Sequence, residues 1–182
     1  MLDLISSKNC KKLILILNLN FINPELWRWI KNFFLKIGQN PGQAESRPIE
    51  NTIIPLPNEE KIDVSTYDLI GFASGIYYWD FGKEVYKHIE KIKGLEGKNI
   101  FVIYTAGSAK EGYFLKPKDA IEKKGGKLVA GFGCRGSSKG GVGGFFSGLF
   151  GVKERPDEND FKECETFIDN TMKGESKFVH FE

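Results

Sequence analysis

Five short runs rich in Ile, Val and Leu, none with clean apolar/polar alternation, constrain this chain more than any other feature. They are LILIL (Leu13 to Leu17), NTIIPL (Asn51 to Leu56), YDLIGFA (Tyr67 to Ala73), NIFVIYT (Asn99 to Thr105) and KLVAGF (Lys127 to Phe132). A strand with one face in water alternates, whereas a strand apolar at successive positions is covered on both faces, as inside a parallel sheet. Helical patterns separate most of the runs. In NPELWRWIKNFFLKIG, Asn23 can cap and Pro24 suits the first helical position; Leu26, Ile30, Phe33, Phe34 and Ile37 share a face, Trp27 and Trp29 widen it, and Gly38 stops it. Further helices are expected over Lys83 to Ile92, Pro117 to Lys124 and Glu158 to Met172, the last with a stripe of Phe161, Cys164, Phe167, Ile168 and Met172. Strand and helix in alternation predict an open α/β parallel sheet with right-handed crossovers and helices on both faces.

Composition narrows the function classes. A chain of 182 residues can bury a continuous core without disulfides or metal. With 26 basic against 24 acidic side chains, net +2, charge gives no reason to expect nucleic acid or an anionic membrane as partner. Cys10, Cys134 and Cys164 are odd in number, far apart and without metal spacing, which reads as free thiols in a reducing compartment. Lys8, Lys11 and Lys12 precede LILIL as the head of a signal peptide would, but Asn18, Asn20 and Asn23 interrupt the run and no small-residue cleavage site follows. No segment nears the ~20 apolar residues of a membrane span, so the expectation is a soluble, cytoplasmic protein. Two stretches read as loops: the polar GQNPGQAESRP, Gly38 to Pro48, and the glycine-dense GFGCRGSSKGGVGGFFSGLFG, Gly131 to Gly151, mobile but with Phe145, Phe146, Leu149 and Phe150 as an apolar anchor.

In an open parallel sheet, ligands bind outside the carboxyl ends of the strands where strand order reverses. SGIYYWDF follows the third run and TAGSAKEGYF the fourth, each opening on a small hydrogen-bonding residue and a glycine. Tyr77, Tyr78, Trp79 and Phe81 could hold a planar ring by stacking, or pack the sheet against the next helix. Consecutive side chains diverge, so three adjacent aromatics cannot all enter one core, and at least one is exposed or touches a ligand.

YDLIGFASGIYYWDFGKEVYKHIEKIKGLEGKNIFVIYTAGS, with GGKLVAGFGCRG and RPDENDF, resembles the flavodoxin family, whose members read close to YDLIGFGSGIYFGK, then FSTSG, CRG and GRPNEEDL. The resemblance spans about Tyr67 to Lys173. It implies a five-stranded parallel sheet of order 2-1-3-4-5, a single domain over residues 1–174 with a divergent head at 1–50 and a tail at 175–182, and FMN as cofactor. Flavodoxins are themselves a standard illustration of ligand binding at that switch point. By the same resemblance Ser74, Gly75, Ile76, Tyr77, Tyr78 and Trp79 lie beside the flavin ring, and Thr105, Ala106, Gly107 and Ser108 form the second ring-edge loop. The flavin would carry the redox chemistry with no catalytic side chain, serving a redox partner protein or a small electron acceptor. Asp80 is the nearest carboxylate and either disfavours an anionic reduced ring or is merely solvated.

The head departs from the family. Where an S-x-T-G-N-T phosphate loop is expected stands NLNFINPE, in which Asn18, Asn20 and Asn23 offer side-chain amides and Pro24 lacks its N–H. Two other alignments stay open: LDLI as first strand with SSKNCKK (Ser6 to Lys12) as loop and LILILNLN as first helix, or a first forty residues foreign to the family. GFGCRG fits G-x-G-x-x-G, but the glycines after it argue against the helix that a dinucleotide site needs. His88, in an expected surface helix, and His180, in the tail, are the only histidines, so no metal centre or histidine triad is expected. Cys134 beside Arg135 reads as a buried thiol or a lowered-pKa thiolate. Two further functions remain open: a flavodoxin-fold interaction module without FMN, using the aromatic loop as contact, and a flavin-dependent reductase of a quinone- or porphyrin-like substrate. The sequence carries no sign of oligomeric state.

Overall fold

The first strand, β1 (Lys12–Asn18), explains the missing alternation. Leu13, Leu15 and Leu17 enter one hydrophobic core and Ile14 and Ile16 the other, and all five are fully buried. In this computed structural model the described residues are 10–18, 24–39, 50–56, 62–107, 110–136, 156–175 and 177–180. β2 (Glu50–Leu56) and β3 (Leu69–Tyr77) flank β1 in parallel, with Leu15 opposite both Ile53 and Gly71. β5 (Asn99–Ala106), β6 (Lys127–Arg135) and β7 (Phe178–His180) continue the sheet in parallel, giving the order β2-β1-β3-β5-β6-β7.

The five expected strands are present, and taken alone they run 2-1-3-4-5. The sheet nevertheless has seven strands, which corrects the count of five. β4 (Asp80–Phe81) folds back antiparallel on β3, and β7 adds an edge beside β6. Two or three residues each are too short for an apolar run to reveal. The structure also chooses among the alignments of the head: LILIL is β1, so the alternative that made LILILNLN a helix is overturned. Successive Leu and Ile with β-branched members suit a doubly covered strand better than a one-faced helix.

Helix α1 (Pro24–Gln39) and helix α4 (Glu158–Met172) supply side chains to one core; α2 (Lys83–Lys91) and α3 (Leu115–Lys123) supply the other. Trp29 joins α1 to α4, stacked on Phe33 at 5.5 Å and on Phe161 at 5.3 Å. α4 opens with a reciprocal cap, since Asp157 accepts from the N–H of Asn159 (2.9 Å) and Asp160 (3.2 Å), while the Asp160 carboxylate accepts from Asp157 N–H (2.7 Å). Gly38 does not end α1, which runs on to Gln39.

The glycine-dense stretch is split: its first residues, Gly131 to Arg135, belong to β6, and residues 137–155, with the expected Phe anchor, lie outside the described residues. Gly131 lies so close to the Phe114 ring, and Gly133 to the Tyr104 ring, that a Cβ on either would collide. The expected loop at 38–48 also falls outside, beyond Gln39. Among the described residues no helix is long and apolar enough to cross a membrane. Cys134 and Cys164 are buried thiols, and burial, reinforced by Cys134, pushes the Cys164 thiol up. Cys10 is half-buried, and burial followed by Asp68 raises it to about 11.

Candidate functional site

Strand order reverses between β1 and β3, so the carboxyl ends of these strands and of β5 form the crevice where such a sheet binds ligands. Register fixes which residues meet there. Leu17 lies opposite Ala73, Ser74 opposite Tyr104, and Gly75 opposite Thr105, which puts Asn18, the end of β3 and the end of β5 on one edge.

The predicted ring loop after β3 is a tight hairpin. Tyr77 pairs with Asp80, enclosing only Tyr78 and Trp79, and these two have φ of 49° and 66°. A two-residue connection with both central residues in the left-handed region is the turn that nature usually builds from Asn-Gly. For bulky residues it costs about 1–2 kcal/mol each. Tyr77, Tyr78 and Trp79 are 56%, 84% and 71% exposed, with the two tyrosine rings edge to face at 4.6 Å. Phe81, by contrast, is core: it is 2% exposed and packs edge-on to Tyr104 at 6.2 Å. Ile76 is half-buried against the same core.

The root of the hairpin is fixed from below. Ser74 is fully buried; its hydroxyl donates to the Gly75 carbonyl (2.9 Å) and accepts the Gly82 N–H (3.2 Å). Ser74 thus holds the hairpin, and its hydroxyl is already engaged. Asp80 accepts from the Tyr86 hydroxyl (2.5 Å), Lys116 Nζ (2.7 Å) and Phe81 N–H (2.8 Å), tying the hairpin to α2 and α3. Burial works to raise the Asp80 carboxyl, but the hydrogen bonds from Lys116, Tyr86 and Phe81 hold it below the ordinary range. The same burial, with Asp80 as acceptor, pushes the Tyr86 phenol far up, so it stays a donor. Asp80 is therefore a neutralised anchor, which replaces the reading of it as a solvated loop carboxylate.

On the second loop, Thr105 and Ala106 are buried and Gly107 is exposed with open space around it; Ser108 lies outside the described residues. The loop returns through Lys110, held by Tyr104. The Tyr104 hydroxyl donates to the Lys110 carbonyl and accepts the Lys110 N–H, both at 3.0 Å. Burial raises this phenol to about 12, which keeps it protonated. Tyr113 at 5.4 Å, Phe114 at 5.2 Å and the side-chain-free face of Gly133 fix its ring. Lys110 Nζ then sits over the Trp79 ring, 4.7 Å from its centroid, and joins the two loops. Tyr104, Lys110 and Gly133 were not identified from the sequence. The available signal was parity: along β5 Tyr104 follows Ile100 and Val102 into the core that α2 and α3 cover.

Of the three asparagines named for phosphate, only Asn18 is described. It is fully buried, and neither its amide oxygen nor its amide nitrogen has a hydrogen-bond partner among the described residues. Leaving such a group unpaired costs about 1–3 kcal/mol, so this is bonding capacity held in reserve at the crevice. Asn20 and Asn23 lie outside the described residues. α1 begins at Pro24, which turns its amino end, and the partial positive charge there, toward the same edge.

Other candidates dissolve. Two glycines of GFGCRG lie inside β6, packed against rings, and Gly136 donates its N–H to the Ala106 carbonyl at 2.9 Å, so this is no strand-to-helix phosphate turn. His88 is buried on the inner side of α2, and burial, then Lys91, lowers its pKa. Among the described residues no cluster of His, Cys, Asp or Glu could hold a metal ion. A groove of about 300 Å³ lined by Glu163, Asn170, Lys177 and Val179 lies between α4 and β7 and contains none of the strand-end residues above.

No protein-family model matches the chain. An uncharacterized protein of Methanocaldococcus jannaschii, MJ0298, is 33% identical over 112 residues, covering 60% of this chain and 73% of that protein. Among solved structures, a flavodoxin from the domain Archaea superposes with a TM-score of 0.56 at 11% identity, covering 89% of this chain and 99% of that one. General stress protein 14 of Treponema denticola, in complex with FMN, gives 0.55 at 13% identity, covering 87% and 98%. The flavodiiron protein of Giardia intestinalis gives 0.58 at 10% identity, covering 90% of this chain and 36% of that longer one. Strand order and superposition agree on the architecture, and sequence identity over 73% of the archaeal relative gives the kinship: the chain belongs to the family of that Methanocaldococcus protein and is a flavodoxin-like domain protein.

Proposed function

We propose that this protein binds FMN at the carboxyl edge of its sheet and carries electrons between cytoplasmic redox partners. The observation that carries the reading is the hairpin: three adjacent aromatics are exposed at the switch point, two of them in backbone conformations that bulky residues avoid. Strain of this kind persists where something other than stability selects the residues.

The residues present fit the group. The faces of Tyr78 and Trp79 can stack on a flat ring, and the backbone of Thr105, Ala106 and Gly107 can meet its polar edge. Asn18, whose amide N–H groups and oxygen have no partner among the described residues, fits the polar chain or phosphate of the cofactor, next to the amino end of α1. When bound, the flavin supplies the electron transfer itself; the protein binds, orients and tunes it. Asp80 and Ser74 serve by holding the hairpin in place.

Titration of the purified chain with FMN and riboflavin, followed by flavin fluorescence, tests this. Saturable binding with FMN favoured over riboflavin is the expected result. A colourless protein that quenches neither flavin overturns it. A second reading, a domain that uses the same exposed aromatics for protein contact, rests on Tyr77, Tyr78 and Trp79 serving a partner surface as well as a ring. Partner capture lost on Trp79→Ala, with no flavin bound, is its signature.

A further inference from the structure

The charge beside the aromatic hairpin is set by two lysines with different partners. Asp80, the carboxylate of the hairpin, is cancelled by Lys116 at 2.7 Å. Lys110 has no carboxylate partner among the described residues; its ammonium lies over Trp79 at 4.7 Å. It does not reach that position by wandering. Tyr104 grips both backbone groups of Lys110, and Gly133 leaves the space that lets the Tyr104 ring stand where it does. Among the described residues, the hairpin edge of the crevice therefore presents the positive charge of Lys110, while the Asp80 carboxylate is paired with Lys116.

We propose that Lys110 biases this site toward the reduced flavin, an inference that rests on the FMN reading above. A neutral oxidised ring that takes up two electrons and one proton becomes singly negative. The electrons come from a redox partner protein, or from dithionite in the test. An ammonium held at the site stabilises that anion and does little for the neutral ring, so the reduced cofactor binds more tightly than the oxidised one by a factor that Lys110 largely sets. A partly screened unit charge beside such a ring is worth roughly tenfold in that ratio. Tenfold corresponds to about 30 mV for a two-electron couple. Tyr104 is the positioning residue, acting through the Lys110 backbone.

The test is the midpoint potential of FMN bound to the full chain, compared among wild type, Lys110→Met and Lys110→Arg. Lys110→Met is expected to move the couple to more negative potential by an amount equivalent to about tenfold, with Lys110→Arg remaining near wild type. FMN bound with equal potentials in wild type and Lys110→Met overturns the inference and leaves FMN binding intact. Failure of the wild type to bind FMN overturns the flavin reading and this inference together. A shift toward more positive potential in Lys110→Met also refutes it.

Discussion

Replacing the two left-handed aromatics by the residues their backbone prefers separates what the hairpin costs from what it does. The perturbation is the double substitution Tyr78→Asn with Trp79→Gly, which installs an Asn-Gly turn between Tyr77 and Asp80. With φ of 49° and 66°, the two aromatics carry about 1–2 kcal/mol each of backbone cost, so about 2–4 kcal/mol is released. Against this stand three losses. The Lys110–Trp79 contact is worth about 0.5–1 kcal/mol at an exposed site, the Tyr77–Tyr78 edge contact about 0.5–1 kcal/mol, and the extra freedom of glycine in the unfolded chain about 0.5–1 kcal/mol. Little burial is lost, because the two rings are 84% and 71% exposed.

The net expectation is a gain of about 1 kcal/mol, or about 2–4 °C in Tm for a chain of this size. Urea and thermal denaturation of the flavin-free proteins read it directly. In parallel, FMN affinity should fall by about tenfold or more, since two stacking faces at about 0.5–1.5 kcal/mol each are removed. Stability and binding should thus move in opposite directions. A double variant destabilised by more than about 1 kcal/mol would show that the aromatics hold the fold and would refute the strain argument. Unchanged FMN affinity would remove the ring site from the hairpin.

Two further outcomes follow from single residues. Asn18→Leu removes a fully buried amide with no partner, so the flavin-free protein should gain about 1–2 kcal/mol in urea denaturation while losing much of its added stability in saturating FMN; destabilisation without FMN would show the amide is satisfied. Asp80 has a depressed native pKa, set by burial that raises it and by the Lys116 and Tyr86 hydrogen bonds that outweigh this. Its contribution is then full above the ordinary Asp value of about 4 and is lost as pH falls through the lower native value. Asp80→Asn should flatten the loss of stability below about pH 4, as read by denaturation across pH, and an unchanged acid limb would remove Asp80 from that role.

What the sequence made legible was the part governed by periodicity. LILIL and NIFVIYT read as doubly covered strands, and the α4 stripe of Phe161, Cys164, Phe167 and Ile168 read as one buried face; each lies where the pattern put it. The divergence of three adjacent aromatics also signalled that some would be exposed. Unreadable were the features set by contacts distant in sequence. Tyr104 gripping Lys110, Gly133 making room for Tyr104, and Asp80 bonding to Tyr86 and Lys116 depend on where strands and helices dock, which no local pattern encodes. β4 is two residues long and was hidden because its existence rests on an unfavourable turn.

That turn belongs to a pattern. Through most of the sheet, local preference and global position agree: apolar strands are buried, α4 carries its reciprocal cap, and glycines stand where aromatic rings press on the backbone. Three disagreements stand out: bulky residues in a left-handed turn, a buried amide with neither donor nor acceptor satisfied, and an ammonium over an exposed indole in place of a carboxylate. Each carries a cost or forgoes a gain on the scale of a kilocalorie, and a marginally stable fold sheds such costs unless they serve something. The first sits at the end of β3 and the second at the end of β1, while the third joins Lys110, just past the end of β5, to Trp79 of the first. Yet all three fall on the carboxyl edge of the sheet, about the point where strand order reverses and where this architecture opens a crevice. Departures contributed by two strands and by the loop after a third, gathered on one edge, are what a ligand site predicts. Folding alone gives no reason for this gathering, and it supports the proposed ring site at that edge more than any one residue does.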